Sequence, residues 1–311
     1  MKTLLLIDGH AMIHRAFHAL PDTMTTKSGE PTGAIYGFFM MLQKVIEDFK
    51  PTHLAIAFDT PTQTFRKKLY KGYQAKRPPM DSALKQQIPN IKDLLDEGDI
   101  VRIEKPGYEA DDVIGTLVEK NKKKFERVLI LTGDRDLLQL TDANVFLIAP
   151  KQGVTNFDLF TPHEVEKKYG VTPEHFPDYK ALAGDSSDNY NTAKGIGPKT
   201  TQALLAQHKT IEELLNNIDT IENPRWQSIL REYKENIILF KKIATILRDV
   251  EIDTSEIRLI FDGFATPLQE GLKKFELFAL SNKLFHIPSS AIKPETTKKN
   301  KVENPEQIGL F

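Results

Sequence analysis

The sequence contains no cysteine, a single tryptophan and no excess of either charge. Without cysteine, the chain forms no disulfide scaffold, thiolate zinc site or cysteine nucleophile, and it suits a reducing compartment. Its 42 basic and 43 acidic side chains leave a formal charge of −1, which argues against a simple polycationic coat for nucleic acid. No stretch approaches the roughly 20 apolar residues of a membrane span. We therefore expect a cytoplasmic protein without a membrane segment, whose 311 residues suffice for about two domains.

Short apolar runs alternate with longer amphipathic stretches over the first 150 residues. Four runs predict buried strands, at residues 4–7, 54–58, 128–131 and 145–148. Apolar residues at helical spacing predict helices over about 35–49 and 108–124. Strands separated by helices indicate an α/β fold with a mostly parallel sheet, in which the working site lies beyond the carboxyl ends of the strands.

The strand pattern almost disappears between Gly170 and Phe285, where apolar residues recur at helical spacing. After Ile287 the composition shifts to Pro, Ser, Thr, Lys and Asn, which is typical of a flexible tail. We therefore predict an α/β core over 1–170, a helical domain over 171–286 and a tail over 287–311.

Nine acidic residues fall at predicted strand ends, at the start of one helix and near the start of the helical domain: Asp8, Asp59, Glu109, Asp111, Asp112, Asp134, Asp136, Asp185 and Asp188. Each one alone could be a helix cap. Together, carboxylates at one edge of a sheet would repel one another, and hard divalent cations such as Mg²⁺ relieve that repulsion. We find no histidine pair at metal-ligand spacing near these acids, and we do not expect zinc. Two ions in such a site can clamp the attacking and leaving oxygens of a phosphodiester.

Two further segments are candidates for phosphate binding, a basic segment and a glycine-rich turn. Between Arg66 and Arg77 there are six basic residues, no acid, and Tyr70 and Tyr73 among them. This segment is either a solvated helix face or a surface for phosphates and unstacked bases. The turn Gly195-Ile196-Gly197-Pro198-Lys199-Thr200 is neither a Walker loop nor a dinucleotide fingerprint. It predicts a tight turn entering a helix, either as a plain connection or as a grip on one duplex phosphate.

These motifs carry a resemblance to a known family. The chain resembles the 5′-nuclease family, which comprises the amino-terminal 5′→3′ exonuclease domain of bacterial DNA polymerase I and its free-standing flap-endonuclease relatives. The matching blocks occur in family order over about residues 1–286: Leu6 to His10, Phe58-Asp59, Gly107 to Asp112, Thr132 to Asp136, Gly184 to Asn189 and Gly195 to Thr200. The resemblance implies a PIN-like nuclease core with a helical arch at about 61–85, followed by a helical domain with a helix–three-turn–helix motif.

The resemblance also implies two divalent ions, Mg²⁺ or Mn²⁺, and a division of the acids between them. Catalysis and the first ion would use Asp8, Asp59, Glu109, Asp111, Asp112 and Asp134. The second ion would be held by Asp136, Asp185 and Asp188. A potassium ion is expected at the glycine turn. The implied DNA contacts are Arg15, Arg66, Lys67, Tyr73, Lys76, Arg77, Gly195, Gly197, Lys199 and Thr200.

Two departures from the family pattern affect the expected activity. Gln74 stands where the family has the arch lysine that approaches the scissile phosphate, and Lys76 is the nearest substitute. Residues 190–194 read Tyr-Asn-Thr-Ala-Lys in place of Ile-Pro-Gly-Val-x, so the duplex grip and the potassium site differ from the family pattern.

The last five residues resemble the bacterial sliding-clamp-binding pentapeptide, with Gln307, Ile308, Leu310 and Phe311 at its main positions. The sequence stops there without a polymerase, and a clamp tether would supply what a covalent polymerase otherwise gives.

The leading hypothesis is a monomeric, free-standing 5′→3′ exonuclease and 5′-flap endonuclease in replication and repair, associated with the nucleoid. Its substrates would be DNA with 5′ flaps, nicks, gaps or 5′ ends. The alternative is a weakly active or inactive accessory that binds DNA junctions and the clamp, and a third option is an RNA-directed PIN-like nuclease.

Overall fold

The computed structural model describes residues 1–190, 195–253 and 259–285 of the chain. Six strands form one sheet in the order β3-β2-β1-β4-β5-β6. The strands are β1 (Thr3–Asp8), β2 (His53–Phe58), β3 (Arg102–Glu104), β4 (Arg127–Leu131), β5 (Val145–Pro150) and β6 (Phe157–Phe160). β1 to β5 run parallel, and β6 pairs antiparallel with β5. The predicted α/β class and mostly parallel sheet are therefore confirmed, with β3 and β6 as strands that the sequence pattern did not reveal.

Thirteen α-helices surround and extend the sheet within the described residues. In the first half they are α1 (Gly9–Ala19), α2 (Gly33–Phe49), α3 (Phe65–Leu69), α4 (Ser82–Glu97), α5 (Ala110–Asn121) and α6 (Pro162–Tyr169). In the second half they are α7 (Phe176–Ala183), α8 (Pro198–Gln207), α9 (Ile211–Asn216), α10 (Pro224–Glu232), α11 (Lys234–Ala244), α12 (Pro267–Lys274) and α13 (Phe278–Leu284). None of the described helices is long and apolar enough to cross a membrane.

The sheet is buried on both faces, which explains why its strands read as continuous apolar runs. Alternate residues of each strand enter two different cores. Leu4 and Leu6 face the core that includes α5 and the helical part of the chain. Leu5 and Ile7 face the core formed with α1, α2 and α4. Both layers hold the strand ends rigidly, and side chains at those ends inherit fixed positions.

The last two helices pack on the α/β core, although the prediction groups them with the helical domain. α12 contacts α4, and α13 contacts α2. Leu268, Leu272, Leu280 and Leu284 are buried in the same core as the inner residues of α2 and α4. Residues 267–284 therefore belong to the core formed with α2 and α4, and they do not extend the helical region that follows the sheet.

A late segment of the chain also closes one edge of the sheet. β3 pairs only with residues 56–58 of β2 and leaves the start of that strand open. Ile260 bridges His53 in antiparallel fashion, while the amide of Leu54 donates to the carbonyl of Leu259 at 2.8 Å. Residues 259–261 thus cover the part of the β2 edge that β3 does not reach.

Candidate metal centre

A cavity of about 940 Å³ opens beyond the carboxyl ends of β1, β2 and β4. Seven of the nine predicted carboxylates line it: Asp8, Asp59, Glu109, Asp111, Asp134, Asp136 and Asp188. This convergence follows from parallel strands whose ends share one edge of the sheet. Asp112 and Asp185 do not line the cavity, and each has a different set of partners.

Asp8 is held by the residues that follow β1 and β4. It caps α1, where its Oδ1 accepts from the amide of Ala11 at 3.0 Å. Its Oδ2 accepts from the hydroxyl of the buried Thr132 at 2.9 Å. Burial, followed by the negative charge of Asp59, raises the pKa of Asp8 to about 7. The carboxylate is therefore fixed in orientation and costly to leave charged without a cation.

Asp59 and Asp134 are likewise fixed by backbone and hydroxyl groups. Asp59 accepts from the amide of Ala110 at 2.7 Å, which ties the end of β2 to the start of α5. The amide of Asp134 donates to Thr132 at 2.9 Å, and Asp134 accepts from the amide of Asp136 at 2.8 Å. These short-range bonds preorganise the carboxylates before any ligand arrives.

The prediction that Asp112 holds a metal and that Arg66 contacts DNA needs correction. Asp112 is 0% exposed and Arg66 only 3% exposed. The Arg66 guanidinium donates to both Asp112 oxygens, at 2.6 and 2.9 Å, and also to the carbonyl of Ile243. Asp112 additionally accepts from the amides of Glu109 and Leu247. A buried bidentate pair with these extra bonds leaves neither residue free for an ion or a phosphate.

Tyr73, which we predict to contact DNA, lines the cavity and also holds Glu109. Its side chain is 5% exposed, and its hydroxyl donates to Glu109 Oε2 at 3.0 Å. Thr64 donates to the other Glu109 oxygen at 3.1 Å, and Arg66 lies 3.2 Å from Oε2. Tyr73 is thus a positioning residue that holds Glu109 at the cavity.

Four carboxylates of the cavity form no ion pair with a lysine or arginine of the described residues: Asp8, Asp59, Asp111 and Asp134. We call them the first cluster. The pKa of Asp111 is raised well above its usual value by burial and then by Asp134 and Asp8. Uncompensated, preoriented carboxylate oxygens in one cavity fit a hard divalent cation.

The second cluster comprises Asp136, Asp185 and Asp188. One ligand oxygen from each lies within 4.8 Å of the others, the one grouping of this kind among the described residues. Unlike the first cluster, it already contains cations. Lys180 contacts Asp136 and Asp185, and Arg77 lies 2.7 Å from Asp188. The sequence interpretation missed Lys180, because its only signal is a position one helical turn before the Asp185 loop.

The basic segment forms one wall of the cavity. It contains the five-residue helix α3 followed by turns, and thus less helix than the predicted arch. Its backbone is tied to the second cluster, since the amide of Gln74 donates to the carbonyl of Asp188 at 2.9 Å. Lys67, Gln74 and Arg77 line the cavity, whereas Lys76 is exposed and lies outside it. Arg15 donates to the carbonyl of Gly153 at 3.1 Å.

The glycine turn enters a helix as predicted. Gly195 has a φ of 115°, a conformation that side chains rarely adopt, and Gly197 is the N-cap of α8. Pro198 occupies the first turn of α8, Lys199 is exposed, and Thr200 is partly exposed. Residues 191–194 of the altered segment lie outside the described residues. So do the clamp-like residues Gln307, Ile308, Leu310 and Phe311, and the expectations for both remain predictions.

Histidines lie beside the first cluster, and the interpretation that none has metal-ligand spacing is wrong. His10, His14 and His18 recur at four-residue intervals on α1, and the first two line the cavity. His10 Nδ1 accepts from the amide of Asp59 at 3.1 Å, which is a structural role. Burial lowers the pKa of His10, so its ring is neutral near pH 7. These histidines join no metal-binding group among the described residues.

Comparison with known proteins matches residues 3–266 to the two domains of one family. The model of the 5′-3′ exonuclease N-terminal, resolvase-like domain matches residues 3–170, and that of the 5′-3′ exonuclease C-terminal SAM fold matches 171–266. The 5′-3′ exonuclease of Aquifex aeolicus is 42% identical over 82% of this chain and 86% of its own length. DNA polymerase I of Bacillus subtilis is 41% identical over 85% of this chain, which spans about 30% of that polymerase.

A solved structure shares the fold at low identity. The bacteriophage T5 flap endonuclease, in a complex with DNA and metal ions, superimposes with a TM-score of 0.66 at 16% identity. The match covers 92% of this chain and 99% of the phage protein. On the two family models and the Aquifex relative, the chain belongs to the 5′-3′ exonuclease family.

Proposed function

We propose that this chain is a divalent-metal-dependent nuclease that hydrolyses DNA phosphodiesters at 5′ ends and 5′ flaps. The observation that carries the proposal is the first cluster, four uncompensated carboxylates that line one cavity of a 5′-3′ exonuclease fold. The T5 relative, which is a flap endonuclease bound to DNA and metal ions, supports the same chemistry. The substrates we propose are flapped, nicked or gapped duplexes.

The residues present fit Mg²⁺ or Mn²⁺, because oxygen donors dominate both clusters and thiolates are absent from the sequence. Asp8, Asp59, Asp111 and Asp134 would hold one ion, with Glu109 beside them. The second cluster would hold another. When bound, such ions lower the pKa of a water and stabilise the leaving oxygen.

The chain's own groups position the reaction and need no side-chain nucleophile. Thr132 and the amide of Ala11 fix Asp8, while Arg66, Tyr73 and Thr64 fix Glu109. Because these carboxylate oxygens are already in position, the site does not have to reorganise during the reaction, and such preorganisation is a main source of electrostatic catalysis. Lys67 and Arg77 stand in the cavity wall, where they attract the phosphates of an entering strand.

A second contact to DNA is proposed at the start of α8. Gly195, Gly197, Lys199 and Thr200 offer a helix N-terminus whose N-cap makes no side-chain hydrogen bond among the described residues, together with an exposed lysine. Such a terminus binds a phosphate without reading sequence. A K⁺ ion at this turn, coordinated in part by residues outside the described ranges, remains part of the proposal. Binding of duplex behind the cut site would then orient the strand in the cavity.

The test is cleavage of a 5′-labelled flap duplex by the purified chain in 5 to 10 mM Mg²⁺, a range set as about tenfold above a millimolar dissociation constant. We expect cleavage near the junction, no cleavage in EDTA, and no cleavage by Asp134→Ala. Asp48→Ala is the matched control, because Asp48 forms an exposed pair with Lys44 on α2 away from the cavity. An intact flap with the wild-type chain in Mg²⁺ would contradict the proposal.

One observation favours the alternative of a junction-binding accessory that cuts poorly. Gln74 lines the cavity where the family lysine would stand, and an amide gives a phosphate no positive charge. The two functions separate in one assay, with flap affinity measured in Ca²⁺ and turnover in Mg²⁺. Gln74→Lys should raise turnover at saturating flap. A wild-type chain that binds in Ca²⁺ but does not cleave in Mg²⁺ would establish the accessory function.

A clamp tether is proposed for the last five residues on their sequence alone. Deleting residues 307–311 should lower affinity for a bacterial sliding clamp and leave unstimulated flap cleavage unchanged. Equal clamp affinity of the full and shortened chains would remove this part of the proposal.

A further inference from the structure

The two carboxylate clusters differ in how their charge is balanced. The first cluster forms no ion pair with a lysine or arginine of the described residues. In the second cluster, Lys180 Nζ lies 2.5 Å from Asp136 and also contacts Asp185, while Arg77 pairs with Asp188. The second cluster therefore holds its own counter-ions, and a divalent ion entering it has to compete with them.

Lys180 is built into this position by its helix. It lies in the last turn of α7, which ends at Ala183, and the Asp185 loop follows directly. The loop is closed by reciprocal backbone hydrogen bonds between Asp185 and Tyr190, at 2.9 and 3.0 Å. The ammonium group of Lys180 contacts both Asp136 and Asp185, and no other lysine or arginine of the described residues pairs with either acid.

The loop of the second cluster ends at Tyr190, whose hydroxyl forms no hydrogen bond with any described group. Tyr190 is 0% exposed, its ring stacks on Phe240 with centroids 5.0 Å apart, and its hydroxyl has no hydrogen-bond partner. The backbone of Tyr190 pairs with that of Asp185, which ties this residue to the loop of the second cluster. A buried hydroxyl without a partner among the described residues is available to form a new hydrogen bond.

We propose that Lys180 is a positioning residue of the second cluster, a resident cation that holds Asp136 and Asp185 together in the metal-free protein and competes with the second divalent ion. This inference rests on the proposed metal-dependent function and specifies how its second site is regulated. The two sites then fill in order. The first cluster, without resident cations, takes an ion at lower concentration than the second.

The order follows from charge. One positive charge within about 3 Å of two carboxylates cancels much of the attraction that they exert on a divalent ion. An ion that enters the second cluster displaces the ammonium from at least one carboxylate, and the displaced group needs new partners. The Tyr190 hydroxyl, which has no hydrogen-bond partner among the described residues, is one acceptor in the same loop for the displaced ammonium.

The test measures Mn²⁺ binding to the full chain without DNA, by calorimetry and by the electron paramagnetic resonance signal of free Mn²⁺. The wild type should show a tight and a weak class of ions. Lys180→Met keeps the length of the side chain and removes its charge, so the weak class should tighten about tenfold or more. Tightening should also enlarge the increase in melting temperature on adding Mn²⁺.

Lys241→Met is the matched control. Lys241 on α11 also bridges two carboxylates, Asp178 at 2.6 Å and Glu212 at 2.7 Å, but outside the cavity. Its loss should lower the melting temperature equally with and without Mn²⁺, with both ion classes unchanged. Lys180→Arg, which keeps the charge, should retain the weak class. If Lys180→Met does not fold without metal, Lys180→Gln replaces it.

Two outcomes would overturn the inference. One is an unchanged weak class in the neutral variants, and the other is equal tightening in Lys180→Arg, which would indicate altered packing. Asp188→Asn, which weakens the second cluster, should abolish the effect of Lys180→Met. Because binding is measured without cleavage, a chain that binds two ions yet leaves flaps intact would contradict the proposed function alone.

Discussion

At the scale of single residues, cations decide which carboxylates are free for chemistry. Arg66 forms ion pairs with Asp112 and Glu109. Lys180 forms ion pairs with Asp136 and Asp185. Asp8, Asp59 and Asp134 were predictable, because they lie at or just after the ends of strands that meet at one edge of the sheet. The ion pairs were not, since Arg66 and Asp112 are 46 positions apart and only tertiary packing joins them.

Removing Arg66 should be costly. In Arg66→Met the Asp112 carboxylate stays buried without its partner, and we expect the free energy of unfolding to fall by about 3 to 5 kcal/mol. Urea unfolding in EDTA measures the loss. Arg102→Met is the matched control, because Arg102 forms an equally bidentate pair with Asp96 at the surface, where about 0 to 1 kcal/mol is expected. Equal losses in the two variants would show that burial does not govern these pairs.

Asp8 should make the metal-free protein less stable at alkaline pH. The pKa of Asp8 in the folded protein is about 7, above the ordinary value of 3.8. Between pH 3.8 and about 7, Asp8 is therefore protonated in the folded state and ionised in the unfolded state. The contribution of Asp8 is fully present below pH 3.8 and is lost as the pH rises to about 7. Asp8→Asn keeps a good N-cap and removes the charge.

The measurement is the melting temperature of wild type and Asp8→Asn in EDTA at pH 5.5 and 8, two values chosen on either side of the raised pKa of about 7. At the higher pH the variant should melt about 2 °C or more above the wild type. At the lower pH the difference should shrink, because Asp8 is then protonated. The other ionisable residues are the same in both chains, so the comparison isolates the change at residue 8. A difference independent of pH would contradict the raised pKa.

At the scale of elements, the apolar runs predicted the four central strands. The two edge strands are short and contain charged residues, so they show no apolar run. β3 is three residues long with Arg102 and Glu104 at its ends, and β6 is a four-residue strand at the antiparallel edge. The helix predicted over 108–124 begins at Ala110, because Glu109 and Asp112 form a capping box there. The spacing of Glu109 and Asp112 is compatible with a helix cap, but it does not show in which direction each side chain points.

The start of α8 should contribute affinity and not chemistry. Lys199→Glu should weaken binding of flap duplex in Ca²⁺ and reduce the slope of log affinity against log salt by about one. Cleavage at saturating flap should change little, because Lys199 does not line the cavity. Lys209→Glu, with the same charge change just beyond the other end of α8, is the control. A wild-type salt slope in Lys199→Glu would remove the turn from the DNA interface.

At the scale of the whole molecule, the near-zero net charge is a cancellation. Nine acids belong to the two clusters or their immediate support, so the rest of the chain is basic. The predicted domain boundaries stay predictions, but the packing of α12 and α13 on α2 and α4 could not be read from periodicity. Helical spacing shows that a segment has an apolar face, and it does not show which layer receives that face.

A chain cut after residue 266 should be much less stable than one cut after residue 286, although both contain the two family-model segments. The shorter chain loses four buried leucines of α12 and α13, each contributing about 2 kcal/mol. Its melting temperature should be lower by about 5 °C or more. Calorimetric scans of both chains give the comparison, and equal melting temperatures would show that these helices are dispensable to the core.

The segment at residues 259–261 covers the edge of β2 only after most of the chain has been synthesised. The β2 edge that it covers is synthesised some 200 residues earlier, so a growing chain on the ribosome presents an open edge of parallel sheet until the segment emerges. Contacts so distant in sequence form late in folding. The nascent α/β core is therefore most exposed to intermolecular strand pairing during synthesis of its own helical region, and least so once Ile260 bridges His53.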